Sequence, residues 1–241
     1  LITPAPAPAV APPAVADPVL VALTSLAQGQ FTAAQSQIQS IPDTQVNGSG
    51  LRLIAKMYGL RAGLLDRVAK GKVVHLQLNH PVTREAVDVA SADAKGITVS
   101  LLSGGTTGLT WNQLSAVEIA RLLAEATAAP GVTSEDLACA VAGLVIAGDL
   151  PMAVLQSRRA KSQVTAEQSA TLENMVDVGR HIEAIGLLAR ANEANAARST
   201  KALTECLGEL RRPDRARLAV VSAALPELEA ALKELLKSGT P

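Results

Sequence analysis

The chain has 241 residues, enough for one large domain or two small ones around a real core. Its 22 basic and 22 acidic side chains balance, and aromatics make up 1% of a sequence that is 48% hydrophobic. Phe31, Tyr58 and Trp111 are too few to build stacking platforms for bases or sugars. The core must come from Leu, Val, Ile and Ala, which suits helices packed closely through small residues.

The tract LITPAPAPAVAPPAVADP favours extended polyproline II, so residues 1–17 read as a semi-rigid linker. The first residue is Leu1 rather than Met, which reads as a processed form or a fragment of a larger chain. Asp17-Pro18 looks like an N-cap followed by Pro at the first helical position. Apolar positions at helical spacing continue to Ile41, with Gly29 dividing them into two helices and Pro42-Asp43 ending the second. After the turn signal NGSG (47–50), a longer helix is predicted over 51–69. Its apolar stripe is Leu53, Met57, Leu60, Leu64 and Val68. Arg52, Lys56, Arg67 and Lys70 fall on a second face about a quarter turn away. These four belong to a locally basic stretch, 51–72, in which Asp66 is the single acid.

The period then changes. KVVHLQLN (72–79), EAVDVAS (85–91), GITVSLL (96–102) and GLTW (108–111) are short and β-branched. DAKG and SGGTTG separate the last three as hairpin loops would. An antiparallel meander or small barrel is expected over 72–115. NQLS leads into a helix over 116–128, closed by Pro130-Gly131. From Thr133 onward the pattern is helical throughout. Breaks are expected near Gly148 and Gly179, before Pro213, and at Pro226, where Gly and Pro act as stop and start signals. The expected class is mainly α (α+β): 18–71 helical, 72–115 a small β module, and 116–241 an array of helical hairpins.

Three segments share a spacing: QGQFTAAQSQI (28–38), AGDLPMAVLQS (147–157) and VGRHIEAIGLL (178–188). Each places Ala five positions after Gly, as Gly29/Ala34, Gly148/Ala153 and Gly179/Ala184. Gly permits a sharp corner, and Ala lets the following helix approach closely. The last two glycines are 31 residues apart, within the range of helix-hairpin repeats. The pattern resembles the tetratricopeptide repeat family, whose corner reads Gly-Asp-Tyr before an Ala-centred second helix. The resemblance covers about 19–41 and 135–192, and it implies a protein-binding scaffold. The family's aromatic and Leu-Gly positions in the first helices are absent, so its peptide-clamp residues have no counterparts to name. In the middle, Val99, Leu101, Gly104, Gly105, Trp111, Leu114 and Ser115 resemble the small β modules of large bacterial multidomain proteins. The last hairpin of an SH3-like interaction fold is similar too.

Candidate chemistry is sparse. SGGTTG lacks the lysine and the strand-to-helix setting of a phosphate loop, so it reads as a hairpin turn. Strand alternation sets His75 and Gln77 opposite Val74, Leu76 and Leu78. His75 and His80 are expected at the solvent-facing strand and its loop, with no third ligand nearby in sequence to complete a metal site. His181 is expected at a hairpin corner. Cys139 and Cys206 sit in helical patterns as small core residues. Arg158-Arg159, Lys161 and the run Arg211–Arg215 read as charged helix ends and solvated faces. No catalytic motif, cofactor or metal site is expected, and nucleic acid and small molecules are not favoured ligands. No apolar run approaches the roughly 18 residues of a membrane span, no signal-peptide pattern is present, and the compartment is left open.

The expectation is a soluble, non-catalytic protein-interaction or scaffold region of a bacterial multidomain protein, with one or more protein partners. Two alternatives remain. The basic face of Arg52, Lys56, Arg67 and Lys70 could meet an anionic membrane or nucleic acid. An enzyme site could also form between the β module and the helices.

Overall fold

Pro18 opens the first helix, where its fixed φ and missing N–H carry no cost. The computed structural model describes residues 18–27, 30–41, 48–72 and 74–238. Residues 1–17 with the Asp17 cap, the Gly29 break and the Pro42-Asp43 stop lie outside the described residues. Over the rest the protein is mainly α, with one small antiparallel sheet. Helices α1 (Pro18–Ala27) and α2 (Phe31–Ser40) pack as a pair, with Val19, Ala22, Ala34 and Ile38 buried.

The single helix expected over 51–69 is two. Helix α3 (Gly48–Tyr58) starts inside the NGSG signal, and α4 (Arg61–Gly71) follows a break at Gly59-Leu60. The break comes where the Leu60 N–H bonds back three residues to the Met57 carbonyl rather than four. It rotates the apolar face, so that Leu60 is exposed, Leu53 is half-buried, and Leu51, Ile54, Tyr58 and Leu65 take the core. Glycine is required at position 50, near the start of α3, because a Cβ there would collide with the Val178 side chain.

Strands β1 (Gln77–Asn79), β2 (Ala86–Ala92), β3 (Gly96–Ser100) and β4 (Thr106–Thr110) form the expected meander in the order β1-β2-β3-β4. The outer strands do not pair with each other, so the sheet is open rather than a barrel. The first strand is shorter than 72–79 because Lys72, at φ 52°, caps α4 in the left-handed region. Leu76, Leu78, Val87, Val89, Ile97, Val99 and Leu109 are buried, and β2 packs on α4. Gly104 and Gly105, both at φ 87°, turn β3 into β4 as SGGTTG implied.

A short 3-10 turn at Trp111–Gln113 leads to α5 (Ala116–Ala126), α6 (Ser134–Ile146) and α7 (Leu150–Ala160). Ser115 with Glu118 and Thr133 with Asp136 form reciprocal capping boxes at the first two of these helices. Helix α8 (Ala166–Ala196) then runs unbroken through Gly179, where a corner was expected. One glycine costs a helix only about 1 kcal/mol, and no proline follows to stop it. Gly179 instead lets α8 approach the α6–α7 corner: a Cβ there would meet Leu150 Cδ2 at 2.5 Å and Val145 Cγ1 at 3.1 Å. His181 consequently lies within the helix, half-buried, and not at a corner.

Helices α9 (Thr200–Leu210), α10 (Pro213–Ala216) and α11 (Ala219–Lys237) complete the chain. Pro226 does not begin a helix but sits inside α11. It forfeits a backbone bond that the packing of Val221, Leu228 and Leu235 against the neighbouring helices must offset. One apolar core joins the helices up to Val178 with the sheet, and a second begins at Ala184, so the boundary between them falls inside α8. Among the described residues no helix is long and apolar enough to cross a membrane.

Candidate functional site

Gly148 makes the α6–α7 corner at φ 75°, and Asp149 caps α7 by accepting the Met152 N–H at 3.1 Å. Pro151 occupies the first turn, and the fully buried Ala153 allows α7 to lie close to α6. This corner, set against α5, encloses a groove of about 420 Å³. Ala120, Ala124, Leu144 and Ala147 form its apolar wall, and Val117 and Met152 stand exposed at 61% and 37%. Arg121, Glu125, Gln156 and Arg159 edge it. Two of the polar edges are held in place from within. Arg121 pairs with Glu125 and donates to the Gln77 carbonyl on β1, while Gln156 donates to Thr127 Oγ1 at 2.6 Å. The result is a preformed apolar surface with a fixed polar border.

The four cations expected to make a basic face are separated by the break at Gly59-Leu60. Arg52 donates to the Ile41 carbonyl at 3.2 Å. Arg67 reaches Asp136 at 2.6 Å and so ties α4 to α6. Burial pushes the Asp136 pKa up, but hydrogen bonds from Thr133 and Arg67 outweigh it and hold the carboxyl below its usual 3.8. Lys70 pairs with Asp66 at 2.8 Å, and Asp66 also accepts the Ala92 N–H at the end of β2. Lys56 is exposed, with no such tie among the described residues.

Arg61, from the same basic stretch, is a buried core residue. Its guanidinium lies 5.0 Å from the Tyr58 ring centroid and 4.5 Å from that of Trp111, and it donates to the Tyr58 carbonyl at 3.2 Å. A desolvated cation on the face of a Trp gains more than one in water. The Trp111 indole N–H donates in turn to the Asp93 carbonyl at 3.1 Å, in the β2–β3 turn. The cluster therefore fastens the sheet to α3 and α4. Burial lowers the Arg61 pKa and raises that of Tyr58 to about 12. Nearby Cys139 is also pushed up to about 12 by burial, which keeps its thiol protonated and inert at neutral pH. Cys206 is half-buried on α9.

No family model, curated protein or solved structure matches this chain.

The histidines divide. His75 is exposed on the same face as Gln77, as alternation implied. His80 is buried rather than solvent-facing, because its Nδ1 accepts the N–H groups of Val82 and Thr83 and holds the loop before β2. Among the described residues no group of His, Cys, Asp or Glu is placed to hold a metal ion. Arg215 also departs from its expected solvated place. It is buried, with Glu183 at 2.9 Å and Glu209 on its guanidinium.

The groove itself escaped the sequence, since Val117 and Met152 look like ordinary core positions of two amphipathic helices. For Arg61 a signal existed: it stands four residues after Met57 and four before Leu65, on an apolar face rather than the basic one.

Proposed function

We propose that the chain is a non-catalytic protein-interaction region, a scaffold of tetratricopeptide-like helical hairpins bearing a small β module. It would serve as part of a larger bacterial multidomain protein. The observation that carries this reading is the groove between α5 and the α6–α7 corner. Its apolar wall, exposed Val117 and Met152, and internally braced polar border suit an apolar side chain of a partner segment. The Gly148 corner and Ala153 support the hairpin part of the reading. The alternative of a basic helix on an anionic membrane or nucleic acid has less support, because Arg52, Arg67 and Lys70 are engaged within the protein. An enzyme site between the β module and the helices draws none from His75, His80 and Trp111, which are respectively exposed, capping a turn and packed in the core.

The test is affinity capture with the immobilised chain and with Val117→Asp and Met152→Glu, all three matched by circular dichroism. A protein retained by the parent chain and lost from both variants supports the reading. Capture of nothing specific, or equal retention by all three, overturns it.

A further inference from the structure

On the opposite side of α7 from the apolar groove lies a second concavity, of about 250 Å³, between α7, α8 and the end of α10. Four cations line it, Arg158, Lys161, Arg180 and Arg217, against two carboxylates, Glu173 and Asp177. The carboxylates are already taken: Lys161 holds Glu173 at 2.6 Å, and Arg180 holds Asp177 at 2.5 Å. Arg158 and Arg217 face the same space, and among the described residues neither pairs with a carboxylate. Past Val154 and Arg180 the cleft continues into a second one, where Arg212 and Arg215 are paired with Asp214, Glu183 and Glu209. Charge along this side is thus neutralised except at two guanidiniums that converge from different elements.

The last turn of a helix favours cations, which accounts for Arg158 and Lys161 as residue types on α7. It does not account for Arg180, in the interior of α8, and Arg217 reaches the same space from a different element, as the C-cap of the four-residue α10. The geometry points to a docking cleft for an acidic peptide segment of a partner protein, whose carboxylates pair with Arg158 and Arg217. Guanidinium and carboxylate match as planar, bidentate partners. A peptide fits better than a nucleic acid strand. Glu173 and Asp177 on the wall interrupt what would otherwise be a continuous positive track, and no aromatic side chain lines the cleft to stack a base. The cleft is separate from the apolar groove, so its occupancy does not depend on that site.

Fluorescence anisotropy of a labelled Glu-rich peptide tests this on the whole chain, with a charge-neutral peptide and a single-stranded oligonucleotide of equal length alongside. Binding of the acidic peptide is expected at low ionic strength and should weaken with added salt. Arg158→Ala and Arg217→Ala should each weaken it about threefold, and the double variant about tenfold. Lys56→Ala, removing an exposed cation elsewhere, should leave it unchanged, as should Val117→Asp in the other groove. Arg158→Lys, which keeps the charge, should retain more binding than Arg158→Ala. Absence of binding at low salt, or equal loss in Lys56→Ala, overturns the proposal. So does an oligonucleotide that binds as tightly and responds to the same two arginines.

Discussion

Residues up to Val178 bury Arg61 against the faces of Tyr58 and Trp111, whereas the region from Ala184 onward buries Arg215 between its own Glu209 and Glu183, at the boundary of the two cores. Burial depresses the Arg61 pKa. At Arg215 burial also works to lower the pKa, but hydrogen bonds to Glu209 and Glu183 outweigh it and raise the value. The aromatic setting belongs to a core that runs from the helices through the sheet, so its cation is enclosed by apolar packing on several sides. The ion-paired setting belongs to a thin layer, where Leu203, Leu207, Leu210, Val221, Leu228 and Leu235 pack on the C-terminal half of α8. Glu183 and Glu209 remain 38% and 51% exposed, so water and salt reach that clasp. The difference assigns rigidity to the first region and sensitivity to conditions to the second.

The largest effect expected is on the first region. Trp111→Ala removes the ring under Arg61 and the indole bond to the β2–β3 turn, and should cost about 3–5 kcal/mol, read from the urea midpoint by circular dichroism. A loss below about 1 kcal/mol would mean that Arg61 and Trp111 do not hold the sheet to the helices. Leu207→Ala in the second core should cost about 2–5 kcal/mol locally. Trp111 is the only tryptophan and lies in the first core, so its fluorescence should keep its midpoint while ellipticity shows an early phase. If both probes shift together, the unbroken α8 couples the two cores, and they unfold as one.

What the sequence revealed depends on how local each signal was. The meander was legible because hydrophobic periodicity and the Gly104-Gly105 turn lie within a few residues of each other. The α6–α7 corner was legible for the same reason, from Gly148, Pro151 and Ala153. Gly179 was misread because glycine serves both tight turns and close approaches, and Val145 and Leu150, which decide between them, lie some thirty residues earlier. Arg61 looked like one more basic residue until Trp111, fifty positions on, closed over it. Of the four cations on the expected basic face, Lys70 had its acid one turn away in Asp66. The partner of Arg67 is Asp136, on a different helix. The groove was the least legible, because an exposed Met152 and a buried one occupy the same kind of helical position.

The smallest effect is a difference in acid response between the two regions. Hydrogen bonding to Arg215 holds the Glu209 carboxyl below its usual 4.5, so folding favours its ionised form. A depressed folded pKa contributes stability that is present above the unfolded value and is lost as pH falls through the folded one. In the second region that loss begins as pH drops below 4.5. In the first, Asp136 is depressed from 3.8, so its contribution persists to lower pH, and Arg61 on its aromatic faces has no proton to exchange in this range. Glu173, which Lys161 holds below 4.5, shares the upper window but sits on the exposed α7–α8 face and not in the Arg61–Trp111 cluster. Between pH 6 and 3, ellipticity from the C-terminal helices should therefore fall before Trp111 fluorescence changes. Glu209→Gln should flatten this acid limb while lowering stability slightly at neutral pH, because the pair is half-exposed and screened. Coincident acid transitions, or an unchanged limb in Glu209→Gln, would show that the Arg215 clasp is not what makes the second region responsive.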